Sequence, residues 1–474
     1  MLEQKIVEKI EKIKEEYNIE IETPLWTETL DEIKNWLKDV KRMHHTLHKV
    51  FDAEIKETNY IKIKERIIER NKNFQDNKKI IIQSLLNKER PRIVTDSLTR
   101  TTNRQIEVLT DPEEIKQEVK NVFSHWVIPK NIEDLNQNQE WKQVYSPNSE
   151  IQEEWYLPLT KKFTVEEIEG IIRKLPNKKA PGPSTITNEL WKHMGNNAFQ
   201  FLTDMFNQIL KDKKIPKEWS MGHIFPIAKP KDWEKNIWNT RPITLLETVR
   251  KIFTKGIYNR LSTILSKYKI LNENNWAGLP EGSTQGPIHI LNNCIEEAKE
   301  FKKEIWILSQ DISKAFDSVN IEILKKSMKR IKMPEEIITI LNKLLENRTS
   351  KVITYYGLTE AFNSDLGIEQ GDSLSPLLWR IYYDPLLTQI QNQSEGYYME
   401  EIKYGDMRKN EERIFKYKVN VFAYMDDTTY ISQDKKQMEK ILKIVEEFSQ
   451  ITGTQINAEK SHIIFINNTS KNKE

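Results

Sequence analysis

The sequence predicts an α+β fold, and three observations carry the prediction. Helical periodicity dominates the first 130 residues, helices and short strands alternate irregularly from about residue 161, and no repeat or low-complexity block imposes a simpler architecture. At 474 residues the chain has room for about two to four domains with a large core. Hydrophobic residues make up 38% and charged residues 30%, which suits a globular protein with a heavily solvated surface.

Taken in order, Ile6, Ile10, Ile13 and Tyr17 recur at helical spacing, with Glu8 and Lys12 as an i, i+4 pair. A second apolar stripe runs through Leu30, Ile33, Leu37 and Val40, and a third through Ile115, Val119 and Phe123, started by TDPEEI with Thr110 as the expected cap. Residues 1–130 therefore read as a mostly helical N-terminal extension, and no catalytic constellation stands out in them. The stretch from Asn131 to Trp155 is rich in Asn, Gln and Glu, so 131–160 reads as a polar linker. FTVEEIEGIIRKL restarts a helix, with Thr164 and Glu167 as a capping box and Val165, Ile168, Ile172 and Leu175 on one face. A second domain, 161–474, is expected from there.

Composition excludes several classes. The N-terminus lacks the apolar centre of a signal peptide and no run of about 18 apolar residues occurs, so an intracellular protein with no membrane partner is expected. One cysteine, Cys294, excludes an internal disulfide and a cysteine-built zinc site. The Asn-X-Thr matches at Asn347 and Asn467 then read as chance, and His44, His45 and His48 as a solvated helix face rather than a metal site. Charge is nearly balanced, 73 basic against 71 acidic residues. Between Lys161 and Arg260, however, 19 Lys and Arg face 10 Asp and Glu, an excess of nine that fits either a grip on a polyanion or a lysine-rich surface.

Near the C-terminal end the chain reads VFAYMDDTTYIS, Val421 to Ser432. Apolar, aromatic and β-branched residues suit a buried strand or hairpin, yet Asp426 and Asp427 sit at its centre, where repulsion and desolvation both count against them. Two readings fit: an exposed hairpin turn, where Asp is at home, or a pair retained for its chemistry. Upstream, in IWILSQDISKAFDSVN, Ile305 to Leu308 reads as a buried strand with Asp311 at its end and a helical segment from about Ser313. Alone, Asp311 reads as a helix N-cap; the constellation with the other acids reverses that reading. Carboxylates at the ends of neighbouring strands converge, and three together need cations; hard oxygen ligands suit Mg²⁺. Two such ions roughly 3.5–4 Å apart activate a hydroxyl and stabilise a leaving pyrophosphate, which is the chemistry of nucleotidyl transfer.

Other motifs fall into line with these. In chain order the sequence holds KKAPGPSTITNELWK (Lys178 to Lys192), RPITLLETVRKIFTKGIYNRL (Arg241 to Leu261), WAGLPEGSTQGPIHIL (Trp276 to Leu291), SQDISKAFDSVN, GIEQGDSLSPLLW (Gly367 to Trp379), AYMDD and GTQINAEKSHIIF (Gly453 to Phe465). Together they resemble the reverse transcriptase domain of non-LTR (LINE-type) retrotransposons, across roughly Phe163 to Ile466. TDPEEIKQEVKNVF resembles, less specifically, the segment that precedes the polymerase in that family.

The resemblance implies a right-hand polymerase fold, with fingers over about 161–300, palm over about 301–474 and the Gln-Gly motif at 367–379. It implies RNA-directed DNA synthesis from deoxynucleoside triphosphates on an RNA template and DNA primer, with two Mg²⁺ or Mn²⁺ ions held by Asp311, Asp426 and Asp427. Phe316 is similar to the aromatic gate that fills the space of a ribose 2′-hydroxyl; the alternative is a core Phe. Arg241 resembles the fingers arginine that holds the triphosphate, a role that suits its planar fork, and Lys229 and Lys231 either add to that field or are plain surface. Gln370 and Gly371 would contact nucleotide or template, or else form an ordinary loop with Ser373 or Ser375 as cap. Lys460 corresponds to a lysine that protonates departing pyrophosphate, and Tyr424 and Met425 would support the primer end and pack the hairpin.

Departures from the family pattern accompany the resemblance. YMDD carries Met where LINE-type chains more often have Ala, and only 14 residues follow Lys460, so the primer grip and thumb are expected to be missing and the product truncated, with weak independent activity. Endonuclease motifs and the Cys/His knuckle are not found either. The rival reading is a catalytically inactive RNA-binding protein of maturase-like or domesticated type; RNA-dependent RNA synthesis is disfavoured by Phe316. A nuclear location follows from the resemblance alone, and the oligomeric state is left open.

Overall fold

A computed structural model describes residues 93–467, apart from 103–104, 129–131, 230–231, 281 and 405–411, together with scattered positions from Lys38 to Glu65. The chain divides into two compact units, Met1–Pro91 and Arg92–Glu474. In the first, the described residues are helical and exposed, His44, His45 and His48 among them. The stripes predicted at Ile6 and Leu30 lie outside the described residues.

The second unit opens with an antiparallel hairpin, β1 (Leu98–Thr102) and β2 (Gln105–Leu109), where the sequence reading expected helix. Helix α1 (Pro112–Trp126) follows and buries Ile115, Val119, Val122, Phe123 and Trp126. Its cap is Asp111 rather than Thr110: the Asp111 carboxylate accepts from the Glu113 and Glu114 amides at 2.9 and 3.0 Å, and Pro112 suits the first turn. The unit boundary at Pro91/Arg92 therefore puts this hairpin and helix with the rest of the fold, not with a separate extension ending at residue 130.

Residues 132–160 likewise differ from the expected linker. Their polar side chains meet solvent, while Trp141, Tyr145, Ile151 and Tyr156 enter the main core. Trp141 is fully buried, stands 5.7 Å from the Phe448 ring and donates its indole N–H to Glu447 at 2.9 Å; the Tyr156 hydroxyl donates to the Ile331 carbonyl at 2.8 Å. A few aromatic anchors outweigh a polar average.

Helices α2 (Val165–Arg173) and α3 (Asn196–Asp212) precede strands β3 (Met221–Ala228) and β4 (Thr240–Leu245). The Thr164 hydroxyl caps α2, accepting from the Glu167 amide as predicted, but the Glu167 carboxylate pairs with Arg260 at 2.6 Å instead of closing the expected capping box. Helices α4 (Thr248–Lys267) and α5 (Gln285–Glu300) lead to β5 (Ile305–Ser313). Then come α6 (Ile321–Arg330), α7 (Glu335–Leu345), β6 (Arg348–Thr354), β7 (Gly357–Leu358), β8 (Phe362–Ser364) and α8 (Ser375–Gln393). The chain ends in β9 (Tyr397–Tyr404), β10 (Glu412–Val419), β11 (Val421–Tyr424), β12 (Asp427–Ser432), α9 (Lys435–Thr452) and β13 (Gln455–Ile466).

Two sheets organise these elements. One has the order β4-β3-β6-β7, with β8 added to β6, and α1 packs on β6 and β8. The other, β11-β12-β5-β13, is antiparallel throughout. Helices α8 and α9 cover it: the Tyr383 hydroxyl lies 3.0 Å from that of Thr428, and Met438, Ile441, Val445 and Phe448 bury one face of α9. The loop before α5 closes the outer edge, where the Ala423 amide donates to the Asn274 carbonyl and the Trp276 amide donates to the Ala423 carbonyl. Among the described residues no helix is long and apolar enough to cross a membrane.

Candidate active site

Strand β5 is longer than its apolar run. It continues past Asp311 to Ser313 because β13 pairs with it there, Asn457 opposite Asp311 and Gln455 opposite Ser313. Lys314 then takes a left-handed conformation, φ 51°, and a short 3-10 turn, Phe316–Ser318, replaces the helix expected from Ser313. Asp311 is therefore a strand residue between buried neighbours Gln310 and Ile312, with its side chain on the opposite face.

The paired acids sit at a hairpin turn, as the first of the two readings has it, and the same strands carry them towards Asp311. Tyr424 pairs with Asp427, so Met425 and Asp426 form a two-residue hairpin loop, with Met425 supplying the positive φ, 60°, such a turn requires. Strand β12 pairs with β5 at Thr428 and Gln310; one step further, the same register brings Asp427 alongside Asp311. The turn and the convergence are one feature.

Electrostatics follow from this geometry. Burial, then the Asp427 and Asp311 carboxylates, push Asp426 above the ordinary carboxylate range, against a backbone hydrogen bond and the Arg241 cation. Burial and Asp311 push Asp427 up, against Lys460. Asp311 itself accepts from the Asn457 side-chain amide at 2.9 Å and faces the Lys460 ammonium at 3.4 Å. Lys460 reaches it because β13 bulges: Asn457 pairs with Asp311 and His462 with Ser309, so three extra residues are accommodated between them. The Ser461 hydroxyl accepts from the Asp311 amide at 3.3 Å and donates to the Asn457 carbonyl at 2.8 Å, fixing that bulge.

The donor set suits a hard divalent cation: beside Asp311 stand Asp426 and Asp427, two carboxylates whose ionised forms are opposed by burial and by neighbouring acids. As they stand, no three His, Cys, Asp or Glu groups among the described residues converge into a ready ligand cluster, and Asp311 is engaged by Asn457 and Lys460. The chemistry of the site fits a metal, which would have to compete with the Lys460 ammonium for Asp311.

Around the acids, Arg241 is exposed on β4 opposite Ile227, and its charge reaches Asp426. Tyr424 is exposed at the end of β11, beside the turn. Phe316 is half-buried, its ring 6.1 Å from Trp379. Lys229 points elsewhere: its ammonium donates to the Trp238 carbonyl at 2.9 Å and lies 5.7 Å from the Trp126 ring. Lys231 lies outside the described residues.

The Gln370–Gly371 loop is pinned to β4 by the Thr244 amide, which donates to the Gln370 carbonyl at 2.8 Å. Gly371 has φ +148°, and a Cβ there would lie 2.4 Å from the Thr244 carbonyl oxygen, so only glycine fits. Two buried ion pairs that the sequence reading did not single out flank this loop. The Arg348 guanidinium pairs with Glu369 at 2.9 Å and also donates to the Leu366 and Gly367 carbonyls, while Arg250 faces Asp372 at 3.7 Å. The signal was present as two acids, Glu369 and Asp372, flanking Gln370–Gly371 directly before an apolar helix.

Residues 227–473 match the family model for reverse transcriptase (RNA-dependent DNA polymerase). Among curated relatives, the probable RNA-directed DNA polymerase from transposon BS of Drosophila melanogaster is 31% identical over 48% of this chain and 25% of its own length. The RNA-directed DNA polymerase from mobile element jockey of the same species is 27% identical over 66% of this chain and 33% of its own length. A Pol polyprotein from type-1 retrotransposable element R2 of Nasonia vitripennis is 22% identical over 65% of this chain and 27% of its own length. The chain thus spans a third or less of these relatives. Among solved structures, apo telomerase from Candida tropicalis aligns with a TM-score of 0.37 and 17% identity over 61% of this chain and 57% of that one.

Proposed function

The chain belongs to the reverse transcriptase (RNA-dependent DNA polymerase) family, and from that premise we propose that it extends a DNA primer with deoxynucleotides copied from an RNA template. The observation that carries this reading is the strand register that sets Asp427 alongside Asp311, with Asp426 in the adjoining turn. Asp311, Asp426 and Asp427 would hold two Mg²⁺ or Mn²⁺ ions. When bound, these supply Lewis-acid activation of the primer 3′-hydroxyl and charge neutralisation at the leaving pyrophosphate.

The chain's own groups do the rest. Arg241, exposed on β4 with its charge reaching Asp426, grips the triphosphate through its planar fork. Phe316 fills the volume a 2′-hydroxyl would need, and Gln370, held by β4, contacts the nucleotide or template without imposing charge. Lys460 releases Asp311 and donates a proton to the departing pyrophosphate, an ammonium being well matched to that developing charge. Lys229 contributes through the field beside the nucleotide site, and Tyr424 supports the primer end. The excess of positive charge over 161–260 tracks the template backbone.

Single-nucleotide extension of a DNA primer annealed to RNA, with Mg²⁺ and deoxynucleotides, tests this directly. Addition by the wild type that disappears in Asp426→Ala supports a polymerase. Failure of both, with Mg²⁺ binding and folding intact, points instead to an inactive RNA-binding module.

A further inference from the structure

Gln370 is held at both ends by parts of the proposed site. Its carbonyl accepts from Thr244 on β4, the strand that carries Arg241, while its side-chain Nε2 donates to the Asp317 carboxylate at 3.2 Å, across 53 residues of sequence. Asp317 directly follows Phe316. The turn and the loop lie flush: the Ile368 amide donates to the Phe316 carbonyl at 2.8 Å and the Gly367 amide to the Val319 carbonyl at 2.9 Å. A Cβ on Gly367, at φ +85°, would come within 2.9 Å of the Asp317 Cα and the Phe316 oxygen. Below the loop, Arg348 fixes Leu366 and Gly367 by their carbonyls.

We propose that Asp317 is a positioning residue for nucleotide selection: it orients the Gln370 amide and, through it, locks the Phe316 turn against the Gln370–Gly371 loop. The inference rests on the polymerase reading above and adds to it a residue that touches neither the acids nor Arg241. Fixing Nε2 on Asp317 also fixes the direction of the amide oxygen, so a freely rotating side chain becomes a defined acceptor. Without that bond the backbone contacts between turn and loop remain, but the Gln370 side chain rotates away from the Phe316 turn and the space barred to a 2′-hydroxyl widens.

The surroundings of Asp317 make the arrangement sensitive to protonation. Burial pushes its carboxyl up to about 7; Glu369 adds to that rise, and Lys314, Arg348 and Lys229 oppose it. Near neutrality the group is therefore divided between an ionised and a protonated form, and the ionised one is the stronger acceptor for Gln370.

The experiment measures kcat/KM for a deoxynucleotide and for the matching ribonucleotide in single addition, with thermal unfolding of each variant as the folding control. Asp317→Ala should reduce the deoxy-to-ribo ratio about tenfold, and Asp317→Asn, which keeps an acceptor oxygen, should restore most of it and flatten its change between pH 6 and 8. Gln370→Leu should reproduce the Asp317→Ala ratio, and the double variant should fall no further. If Asp317→Ala does not fold, Gln370→Leu against Asp317→Asn carries the same comparison. An unchanged ratio in folded Asp317→Ala or Gln370→Leu overturns the inference while leaving the polymerase standing, as does an equal loss of both nucleotides that Asp317→Asn does not rescue. A wild type that adds neither nucleotide overturns the polymerase reading and this inference with it.

Discussion

The Lys460 ammonium stands 3.4 Å from the Asp311 carboxylate, carried there by the bulge in β13. The lysine side chain is 68% exposed, so the pair adds little to stability. Lys460→Ala should therefore leave the thermal midpoint almost unchanged while slowing nucleotide addition by roughly 100-fold if the lysine is the proton donor. Rapid-quench single additions check this; an undiminished rate removes Lys460 from the chemistry.

Asp426→Asn separates the cost of the acids from their use. The wild-type carboxylate is disfavoured by burial and by its two acidic neighbours, so the amide should raise the melting temperature in the absence of divalent ions. Millimolar Mg²⁺ should then stabilise the wild type by mass action and leave the variant nearly unmoved. Equal Mg²⁺ responses in the two proteins would count against metal binding by this hairpin.

Phe316 is half-buried and packs against the main core beside Trp379, and the proposed function gives it the role of sugar gate. Phe316→Val should raise ribonucleotide incorporation relative to deoxynucleotide by roughly 10- to 200-fold, the range expected when one side chain sets the size of a pocket. Competition between the two nucleotides on one template measures it, and unchanged discrimination would exclude Phe316 as the gate.

Glu369 gives the loop a pH signature. Burial pushes its carboxyl up, but the Arg348 and Arg250 cations and the hydrogen bonds from Arg348 and Thr244 outweigh that and hold it below its ordinary 4.5. A carboxyl depressed on folding contributes stability that is present above its unfolded value and is lost as pH falls through the lower folded value. Arg348→Met strands this charge, so urea unfolding at pH 7 should show a loss of roughly 3–5 kcal/mol. The deficit should narrow as pH falls, first where the stranded Glu369 of the variant, raised by burial, takes up a proton, and then through the depressed value of the wild type below 4.5. A midpoint at pH 7 equal to that of the wild type would show the pair to be dispensable.

What the sequence revealed and what it concealed follow from the range of the interactions. Asp311, Asp426 and Asp427 were legible because acids inside apolar, β-branched runs conflict with burial, and Phe316 and Gly371 because motif order placed them. The length of β5 was not legible, since its extension past Asp311 depends on β13, nearly 150 residues later. Asp317 and Glu369 were visible as letters within quoted motifs, but their partners Gln370 and Arg348 were not identifiable from spacing. Polar composition hid Trp141 and Tyr156, whose burial depends on α9 and on the end of α6. The β1–β2 hairpin, with Leu98 and Leu109 in register and buried, was lost in a region judged by its helical neighbours.

The central claim, that Asp311 on β5 and the acids of the β11–β12 hairpin act as one site, is tested most directly by rate. Single-nucleotide addition should be compared for the wild type, Asp311→Asn, Asp427→Asn and the double variant on one RNA-templated primer with Mg²⁺. Each single change should abolish addition to nearly the same residual level, with the double variant no lower. Wild-type addition that survives in Asp311→Asn while Asp427→Asn loses it would contradict a shared site.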